Sequence, residues 1–489
     1  MLIPVARYRS GTRHCGPVPV RPTVVWFRRD LRVADHPALA SAAARGPVVC
    51  LWVCDPALLA RRHHRAPARL AFLRDGLVAL DAELRDRGGA LVIRSGDPVR
   101  IVPAMAREVD AQSVAWTREI SPWGTARDAA VAVALAAVGV DTHEHDGDLV
   151  ARPADIPGPS GDGYRVFTPF FRQWSALAVP AHIPAPDRLD GPDLWSEHPA
   201  ALGSVASPVV AGPAAARAAL VSFVSGGSAD GYVEGRDALE RDAATSHLSA
   251  YLRFGMCTGA QIGRALGLPG GLSAGRHAFW RQIAWREFYH HHLARNPDVA
   301  RMALRASYRR IAWADDPAGF AAWCAGRTGY PLVDAGMRQL DASGWMHNRA
   351  RMVCASFLVK DLLIDWRRGE RVFMQRLVDG DPANNNGGWQ WTAGTGTDAA
   401  PYYRIFNPVL QSRRFDPSGT YLRRWVPELR DVPERWIHEP WRMTDVEQRA
   451  AGCVIGSDYP APIVDHHARR DLALARYRAA EAPGPDGGR

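Results

Sequence analysis

Residues 379–401 read DGDPANNNGGWQWTAGTGTDAAP, a polar and glycine-rich run unlike an ordinary hydrophobic core. Its aspartates can accept hydrogen bonds or pair with an arginine, and its three asparagines can both donate and accept. Gly387 and Gly388 allow another group to approach the backbone closely, and Trp389 and Trp391 add large aromatic faces. Because buried polar groups need partners, the run predicts a bound ligand with its own donors and acceptors, such as a large heteroaromatic cofactor.

The composition predicts a globular protein of two or three domains. The chain has 489 residues, of which 47% are hydrophobic, and this length exceeds that of one ordinary core. The net charge of +9 favours a polyanionic partner such as nucleic acid. Lys360 is the only lysine among 60 basic residues, however, so part of the arginine content reflects a GC-rich coding bias rather than a binding surface.

The cysteines and the apolar runs indicate a reducing compartment. Seven scattered cysteines without metal-site spacing argue against a disulfide framework, which favours the cytoplasm. No apolar run approaches the length of a membrane span. Residues 1–22 hold four arginines and no acid, and residues 481–489 are rich in glycine and proline. We expect disordered tails at both ends. For residues 1–22 an over-extended start site is the alternative, and both are favoured over a transit-like leader.

The histidine clusters do not predict a metal site. His63 and His64, and likewise His290, His291 and His292, have no partner acids at the spacing of metal ligands. We therefore expect these five side chains to lie on the surface and expect no metal ion in the functional site.

Strand and helix patterns alternate in the first part of the chain. Helical spacing occurs at residues 69–87 and 126–138, and short apolar runs predict strands at residues 23–30, 47–54, 90–95, 111–117 and 140–144. This alternation predicts an α/β domain with a doubly wound parallel sheet over residues 23–150.

The rest of the chain divides into a connector and an all-α domain. Residues 151–212 are rich in proline and glycine and predict a surface connector, with helical spacing only at residues 166–174. From residue 213 to 470 the pattern is helical, and strong helices are predicted at residues 274–295, 330–343, 346–368 and 370–378.

Three further segments carry polar chemistry with two readings each. Residues 27–39, FRRDLRVADHPAL, follow the first strand at the sheet edge where α/β folds bind ligands, but without GxGxxG, so structural salt bridging is an equal alternative. Residues 245–249, TSHLS, place hydroxyls at a helix start, where they could contact phosphate or serve as an N-cap. In residues 345–352, WMHNRARM, we expect Asn348, Arg351 and Met352 on one helix face, with a satisfied ion pair as the alternative.

Together these motifs closely resemble the photolyase/cryptochrome family, and specifically the DNA photolyases that repair cyclobutane pyrimidine dimers. The resemblance covers residues 23–470 and is most specific at residues 329–408. It is carried by WFRRDLRVADHPAL, VFTPFFRQW, TSHLSAYLRFG, WREFYHHHL, TGYPLVDAGMRQL, GWMHNRARMVCASFLVKDLLIDWRRGE, DGDPANNNGGWQWTAGTGTDAAPYYRIFNP and YPAPIVDH.

The resemblance implies an α/β antenna domain and an all-α domain that binds FAD in its reduced form. Arg351 and Asp379 would form an ion pair beside the flavin ring, and the amide of Asn385 would accept from flavin N5–H. The residues implied to contact FAD are Tyr232, Thr245, Ser246, His247, Leu248, Ser249, Phe279, Arg351, Asp379, Asp381 and Asn385.

The implied activity is light-driven cleavage of the dimer by electron transfer from excited, reduced FAD. Trp389, Trp366 and Trp313 match the electron-transfer chain of the family, with Trp389 nearest the flavin, and with Asn385 they are the implied catalytic residues. The implied partner is damaged DNA with the dimer flipped out of the helix. The residues implied to contact DNA are Arg236, Gln282, Trp285, Asn348, Arg349, Met352, Trp391 and Gln411.

Two alternatives and one departure remain. A cryptochrome, a photoreceptor without repair activity, is disfavoured by Asn385, where plant cryptochromes typically carry an aspartate, and a (6-4) photolyase is disfavoured by Met352, where those enzymes carry a histidine. Gln282 stands where most dimer photolyases carry a glutamate, and we expect altered repair efficiency or lesion preference.

Residues 116–124 favour 8-hydroxy-5-deazaflavin over methenyltetrahydrofolate as the antenna chromophore. We expect a monomer.

Overall fold

The computed structural model describes residues 20–60 and 65–482. Its N-terminal part forms a five-stranded parallel sheet in the order β3-β2-β1-β4-β5. The strands β1 to β5 are Thr23–Phe27, Val48–Cys54, Leu91–Ser95, Ser113–Thr117 and Asp141–His145. The helices α1 to α5 are Pro37–Ala43, Pro56–Leu59, Pro67–Arg85, Pro98–Glu108 and Pro122–Ala136. The doubly wound α/β prediction is confirmed.

The local sequence explains this architecture. Strands β1 and β2 are buried along their whole length, as continuous apolar strands must be when helices cover both faces of a parallel sheet. Each of the helices α1 to α5 begins with a proline, whose fixed φ suits the first helical position. The strand order reverses between β1 and β4, so their carboxyl ends border the crevice that binds ligands in many α/β proteins.

The remainder of the chain is helical, which confirms the predicted fold class. Helix α6 is Phe167–Trp174. The helices α7 to α20 are Pro213–Ser225, Tyr232–Gly235, Ser249–Arg253, Gly259–Leu266, Ala274–Arg295, Pro317–Cys324, Pro331–Ser343, Asn348–Ser356, Trp366–Arg376, Pro382–Ala393, Pro408–Phe415, Thr420–Trp425, Asp445–Ala450 and His466–Glu481. Short 3-10 helices are Pro153–Asp155, Pro199–Leu202, Asp242–Ala244, Pro297–Ala300, Ala306–Arg310, Pro427–Leu429 and Pro440–Arg442, and Phe357–Asp361 is a π-helical turn.

The segment between the two parts is anchored rather than superficial. Helix α6 buries an aromatic face against α11, and Trp174 Nε1 donates to the buried carboxyl of Glu287 at 2.7 Å. The backbone N–H groups of Val150 and Ala151 donate to the same carboxyl. The prediction of a surface connector is therefore wrong for α6, because its apolar residues join the core shared by both parts.

The predicted helix at residues 346–368 is interrupted. Helix α14 ends at Ser356, the π-helical turn follows, and Leu363 adopts a φ of 57° before Asp365 caps α15. The apolar spacing continues across this break, so periodicity alone could not reveal it. Lys360 lies in the π-helical turn with 1% exposure, and its ammonium donates to the carbonyls of Ala393 and Tyr402. Burial lowers the pKa of Lys360 to about 7.

Several predictions concern segments at the limits of the described chain. The tail at residues 1–19, His63 and His64, and residues 483–489 lie outside the described residues. Within residues 20–60 and 65–482, no helix is long and apolar enough to cross a membrane, and no cluster of possible ligands could hold a metal ion.

The two parts meet where the turn after β1 packs against the turn after α9. Leu31 N donates to Phe254 O at 3.0 Å, and the Arg32 guanidinium donates to the carbonyls of Gly255 and Gly147. Gly255 has a φ of 62°, and a Cβ there would lie 2.1 Å from the carbonyl oxygen of Arg29. Only glycine fits this contact, because it tolerates the left-handed backbone and leaves room for the facing carbonyl.

Replacing Gly255 by alanine is expected to reduce stability by about 3 kcal/mol, from left-handed strain and overlap combined. Gly452→Ala is the matched control, because Gly452 also has a positive φ of 59° but no neighbour within 4 Å of a new Cβ. It should cost only about 1 kcal/mol. Denaturant unfolding followed by circular dichroism measures both, and equal losses would contradict the packing argument.

Candidate functional site

The polar run that opened the sequence analysis folds around α16. Asp381 is the N-cap of this helix and accepts from Asn384 N at 3.0 Å, and Gly394 ends the helix with a φ of 78°. A Cβ at Gly387 would lie 2.2 Å from the ring of Tyr289 on α11, whereas Gly388 has open space. The close approach predicted for Gly387 thus brings α11 against α16, and it sets the distance between these two helices.

Arg351 and Asp379 form the ion pair that the sequence analysis named. Arg351 Nη2 lies 2.9 Å from Asp379 Oδ2, and Arg351 Nε donates to Met346 O at 2.7 Å. Asp379 Oδ1 is buried and has no hydrogen-bond partner in the described chain. A buried acceptor without a donor is costly, so this oxygen indicates a ligand N–H or O–H.

The Asn385 amide has a fixed orientation. Its Nδ2 donates to the backbone carbonyl and to Oε1 of Glu370, both at 2.9 Å. A backbone carbonyl can only accept, so the nitrogen must face Glu370 and Oδ1 must face away. Burial raises the pKa of Glu370 to about 7. Sequence reasoning missed Glu370, because a glutamate within a helix ordinarily faces solvent.

Asp381 is surrounded by three arginines and a histidine from distant segments. Its Oδ2 lies 3.4 Å from Arg29 Nη1, and its Oδ1 lies 3.4 Å from His290 Nε2. Burial would raise the pKa of this carboxyl, but the contact with His290 and the charges of Arg253, Arg29 and Arg286 hold it well below its usual range. None of these four residues was predicted to belong to the site, since each lies far from Asp381 in sequence.

The expectation of surface histidines at residues 290–292 is wrong. His290, His291 and His292 are all buried on α11, and burial lowers the pKa of each to about 4. Their neutral imidazoles fit a helix that packs against α6, α8 and α16, so their burial follows from the central position of α11.

The orphan polar atoms of this region fit FAD. Among residues 20–60 and 65–482, Arg253 Nη1, Arg286 Nη1 and His290 Nε2 are buried without a hydrogen-bond partner, as is Asp379 Oδ1. Anionic phosphate groups and the ring N–H of a flavin are groups that could satisfy such donors and acceptors. The donor set therefore suits a large cofactor that is both anionic and heteroaromatic.

The other predicted cofactor residues lie in two clusters. Tyr232 packs edge-on against Phe279 with ring centroids 5.2 Å apart, and burial raises the Tyr232 pKa to about 12. The loop of Thr245, Ser246 and His247 precedes Leu248, which is the N-cap of α9 and makes no side-chain cap. The N-cap reading of these hydroxyls is therefore wrong, and Ser249 is exposed at the first helical position.

The loop before α9 also reaches the Arg351 region. The His247 ring lies 4.6 Å from the Trp345 ring, and His247 adopts a φ of 50°. Two segments about a hundred residues apart are thereby joined beside the ion pair.

The three candidate redox tryptophans belong to the hydrophobic core of the helical part. Trp389 and Trp366 are buried, whereas Trp313 is partly exposed at the border of the same cluster. A Cβ at Gly369 would lie 2.1 Å from the Trp389 ring, so Trp389 rests on α15 three residues after Trp366. Of the three, Trp313 is the most exposed.

The residues predicted to contact DNA are half-buried or exposed. Trp285 stacks on Phe167 of α6 with centroids 3.8 Å apart, and Asn348 Nδ2 lies 3.7 Å from Met352 Sδ on the same helix face. Arg349 points elsewhere and pairs with Asp237 at 2.8 Å. The remaining residues of the set are Arg236, Gln282, Trp391 and Gln411. Arg236 lies over the Tyr232 ring, and Gln282 donates to Ala278 O. The Oε1 of Gln411 is buried without a partner among the described residues.

The turn after β1 forms salt bridges. The structure therefore supports structural salt bridging for this segment rather than ligand binding. Arg28 pairs with Asp128 at 2.8 Å, and His36 lies 3.0 Å from Asp30. Arg29 extends this network into the helical part through Asp381.

Comparison with known proteins gives consistent matches along the chain. A family model described as DNA photolyase matches residues 23–187, and one described as the FAD binding domain of DNA photolyase matches residues 279–479. The chain is 42% identical over 481 residues to the deoxyribodipyrimidine photo-lyase of Halobacterium salinarum, covering 93% of this chain and 98% of the relative.

Solved structures agree. A bacterial class III photolyase from Agrobacterium tumefaciens superposes with a TM-score of 0.90 at 39% identity, covering 96% of this chain and all of that chain. A cryptochrome from Synechocystis sp. superposes with a TM-score of 0.86 at 29% identity, covering 93% and 98%.

Replacing Glu370 by glutamine is expected to change the pH dependence of stability. Because the folded-state pKa of Glu370 is raised from 4.5 to about 7, its contribution is present at low pH and is lost as pH rises through 7. The wild type should lose about 2 kcal/mol relative to Glu370→Gln between pH 5 and pH 8. Unfolding free energies measured across this range test it. Glu434→Gln, at an exposed carboxyl, should show no such difference.

Proposed function

The chain belongs to the DNA photolyase family, and we propose that it is a deoxyribodipyrimidine photo-lyase that splits cyclobutane pyrimidine dimers in damaged DNA. The observation that carries this proposal is the orientation of Asn385. Its amide nitrogen is held by Glu370, which leaves Oδ1 as an acceptor for the N–H of a reduced flavin. An aspartate at this position could not be held by the Glu370 carbonyl in this way.

FAD, when bound and reduced, supplies under light the electron that opens the cyclobutane ring and recovers it afterwards. Asp379, oriented by Arg351, would accept from the flavin ring, and Asp381 would hold a second polar edge of the cofactor. Tyr232 and Phe279 would enclose the cofactor on one side. The backbone and hydroxyl groups of Thr245, Ser246, His247, Leu248 and Ser249 would bind its phosphates.

The tryptophans would keep the flavin reduced. Trp389, buried against Gly369, would pass an electron inward from Trp366, which receives it from the partly exposed Trp313. The increase in exposure along this order supports the assignment, because the outermost residue must exchange electrons with reductants in solution.

The DNA side would bind a dimer flipped out of the helix. Trp285 and Trp391 would form the apolar wall for the lesion, with Met352 beside them. Asn348, Gln282 and Gln411 would supply hydrogen bonds, and the free Oε1 of Gln411 supports this role. Arg236 and Arg349 would contact phosphates, so affinity would fall with salt.

The antenna chromophore would bind in the α/β part. Residues 116–124 favour 8-hydroxy-5-deazaflavin, and Arg127 lies over Trp26 and Trp123 in this region, near the carboxyl edge of the sheet. Methenyltetrahydrofolate is the alternative. That the enzyme is a monomer and acts in the cytoplasm stays a prediction of the sequence.

Repair of defined lesions tests the proposal. Purified protein with reduced FAD should convert cyclobutane dimers in an oligonucleotide to pyrimidines under blue light and not in the dark. It should leave (6-4) photoproducts unchanged, because the thioether of Met352 cannot act as an acid. Binding of FAD without cleavage of the dimers would instead support a cryptochrome, and cleavage of (6-4) photoproducts would support that class of photolyase.

Gln282→Glu is expected to raise the quantum yield of dimer repair by roughly two- to fivefold, because a carboxyl adds a stronger, ionisable hydrogen-bonding group beside the lesion. The measurement is repaired dimer per photon absorbed at saturating DNA. Gln173→Glu, at an exposed position of α6, introduces the same charge and should leave the yield unchanged. An unaltered or lower yield in Gln282→Glu would contradict the role assigned to this position.

A further inference from the structure

Arg29 connects the carboxyl edge of the sheet to the candidate flavin site. It lies in the turn after β1, and its guanidinium contacts three acids from three other segments. Nε lies 3.1 Å from Glu119 after β4, Nη2 lies 3.4 Å from Asp148 after β5, and Nη1 lies 3.4 Å from Asp381 at the start of α16. Charged side chains thus meet at the crevice between β1 and β4.

These charges are held in a largely buried setting. The Arg29 side chain is 19% exposed, and Asp381 is 9% exposed. Burial would raise the pKa of Glu119, but Arg29 and neighbouring arginines lower it to about 2. Arg29, Glu119 and Asp381 are therefore charged at neutral pH, and their interactions are weakly screened.

Arg29 holds the free oxygen of the helix cap. Asp381 Oδ1 accepts from Asn384 N at 3.0 Å and from Asn384 Nδ2 at 2.8 Å. Asp381 Oδ2 is left for Arg29. Because Asn385 is the next residue of the same helical turn, the orientation of the cap also sets the direction from which Asn385 projects.

The turn itself does not depend on the Arg29 side chain. Leu31 N and the Arg32 guanidinium already bind the turn after α9 through backbone carbonyls. The Arg29 side chain, in contrast, makes three acidic contacts with the residues that the structure describes. Its effect is therefore expected on Asp381 rather than on the docking of the turn.

We propose that Arg29 is a positioning residue for the flavin: through Asp381 it holds the start of α16 in the geometry that binds FAD, and its charge favours the reduced, anionic cofactor. This inference rests on the proposed function only in placing the flavin beside Asp381. A residue of the α/β part would then help to set the redox potential of a cofactor that the helical part binds.

The test measures cofactor binding and potential in the dark, without DNA. Arg29→Gln should raise the Kd of the apoprotein for FAD by about tenfold, since one charged partner of Asp381 is lost while others remain. The midpoint potential of the bound flavin should become more negative, because a cation near the anionic reduced form is removed. Arg29→Lys keeps the charge but cannot contact three acids at once, so it should lie between the wild type and Arg29→Gln.

Arg118→Gln is the matched control, because Arg118 is adjacent to Glu119 at the same sheet edge and pairs with Glu144 and Asp146, both within the α/β part. It should keep the wild-type Kd and potential. A wild-type Kd and potential in Arg29→Gln would overturn the proposal, as would a fall in apoprotein stability without a change in potential.

If Arg29→Gln does not fold, Arg29→Lys decides: a Kd raised several-fold supports the proposal and a wild-type Kd and potential overturn it. Failure of the proposed function is separate, since it would appear as wild-type protein that binds FAD but does not repair dimers under light.

Discussion

Asp381 keeps its negative charge in a buried setting only because positive groups from separate segments surround it. Isolated, such a carboxylate would become protonated or would prevent the helix start from being buried. The arginines after β1, at the end of α9 and on α11 supply the compensation, and in doing so they fix those segments against α16. The relative placement of the sheet edge, α11 and α16 follows from this requirement, and the candidate site lies between them.

Sequence patterns predicted the strands, helices and caps that depend on residues close together in the chain. The five strands, α3 and α11 were evident from apolar periodicity, and the cap of α16 lies at an aspartate followed by proline. Helix α4 was missed because Pro103 lies inside it, and the break near Leu363 was missed because apolar spacing continues through it. The burial of α6 was missed because its flanks are rich in proline and glycine.

The candidate site was predictable where one short segment carries it, and not where it is assembled from several. Asp379 and Asp381 were named from one polar run and Asn385 from the family resemblance of that run, but Glu370 and Arg29 were not named. The Arg29–Asp381 contact spans 352 positions, and pairing of charges at such distances depends on the whole topology. The sequence also could not show that the three histidines of α11 are buried, because histidine occurs both on the surface and in the interior of proteins. The likeness to both a photolyase and a cryptochrome shows that this fold serves different activities, so the individual residues around the flavin carry the functional distinction.

The buried position of Lys360 has a practical consequence. Since this is the only lysine in the sequence and its ammonium is enclosed by the carbonyls of Ala393 and Tyr402, reagents that acylate amines find no lysine on the folded surface. Modification of Lys360 by such a reagent would therefore report unfolding of the protein.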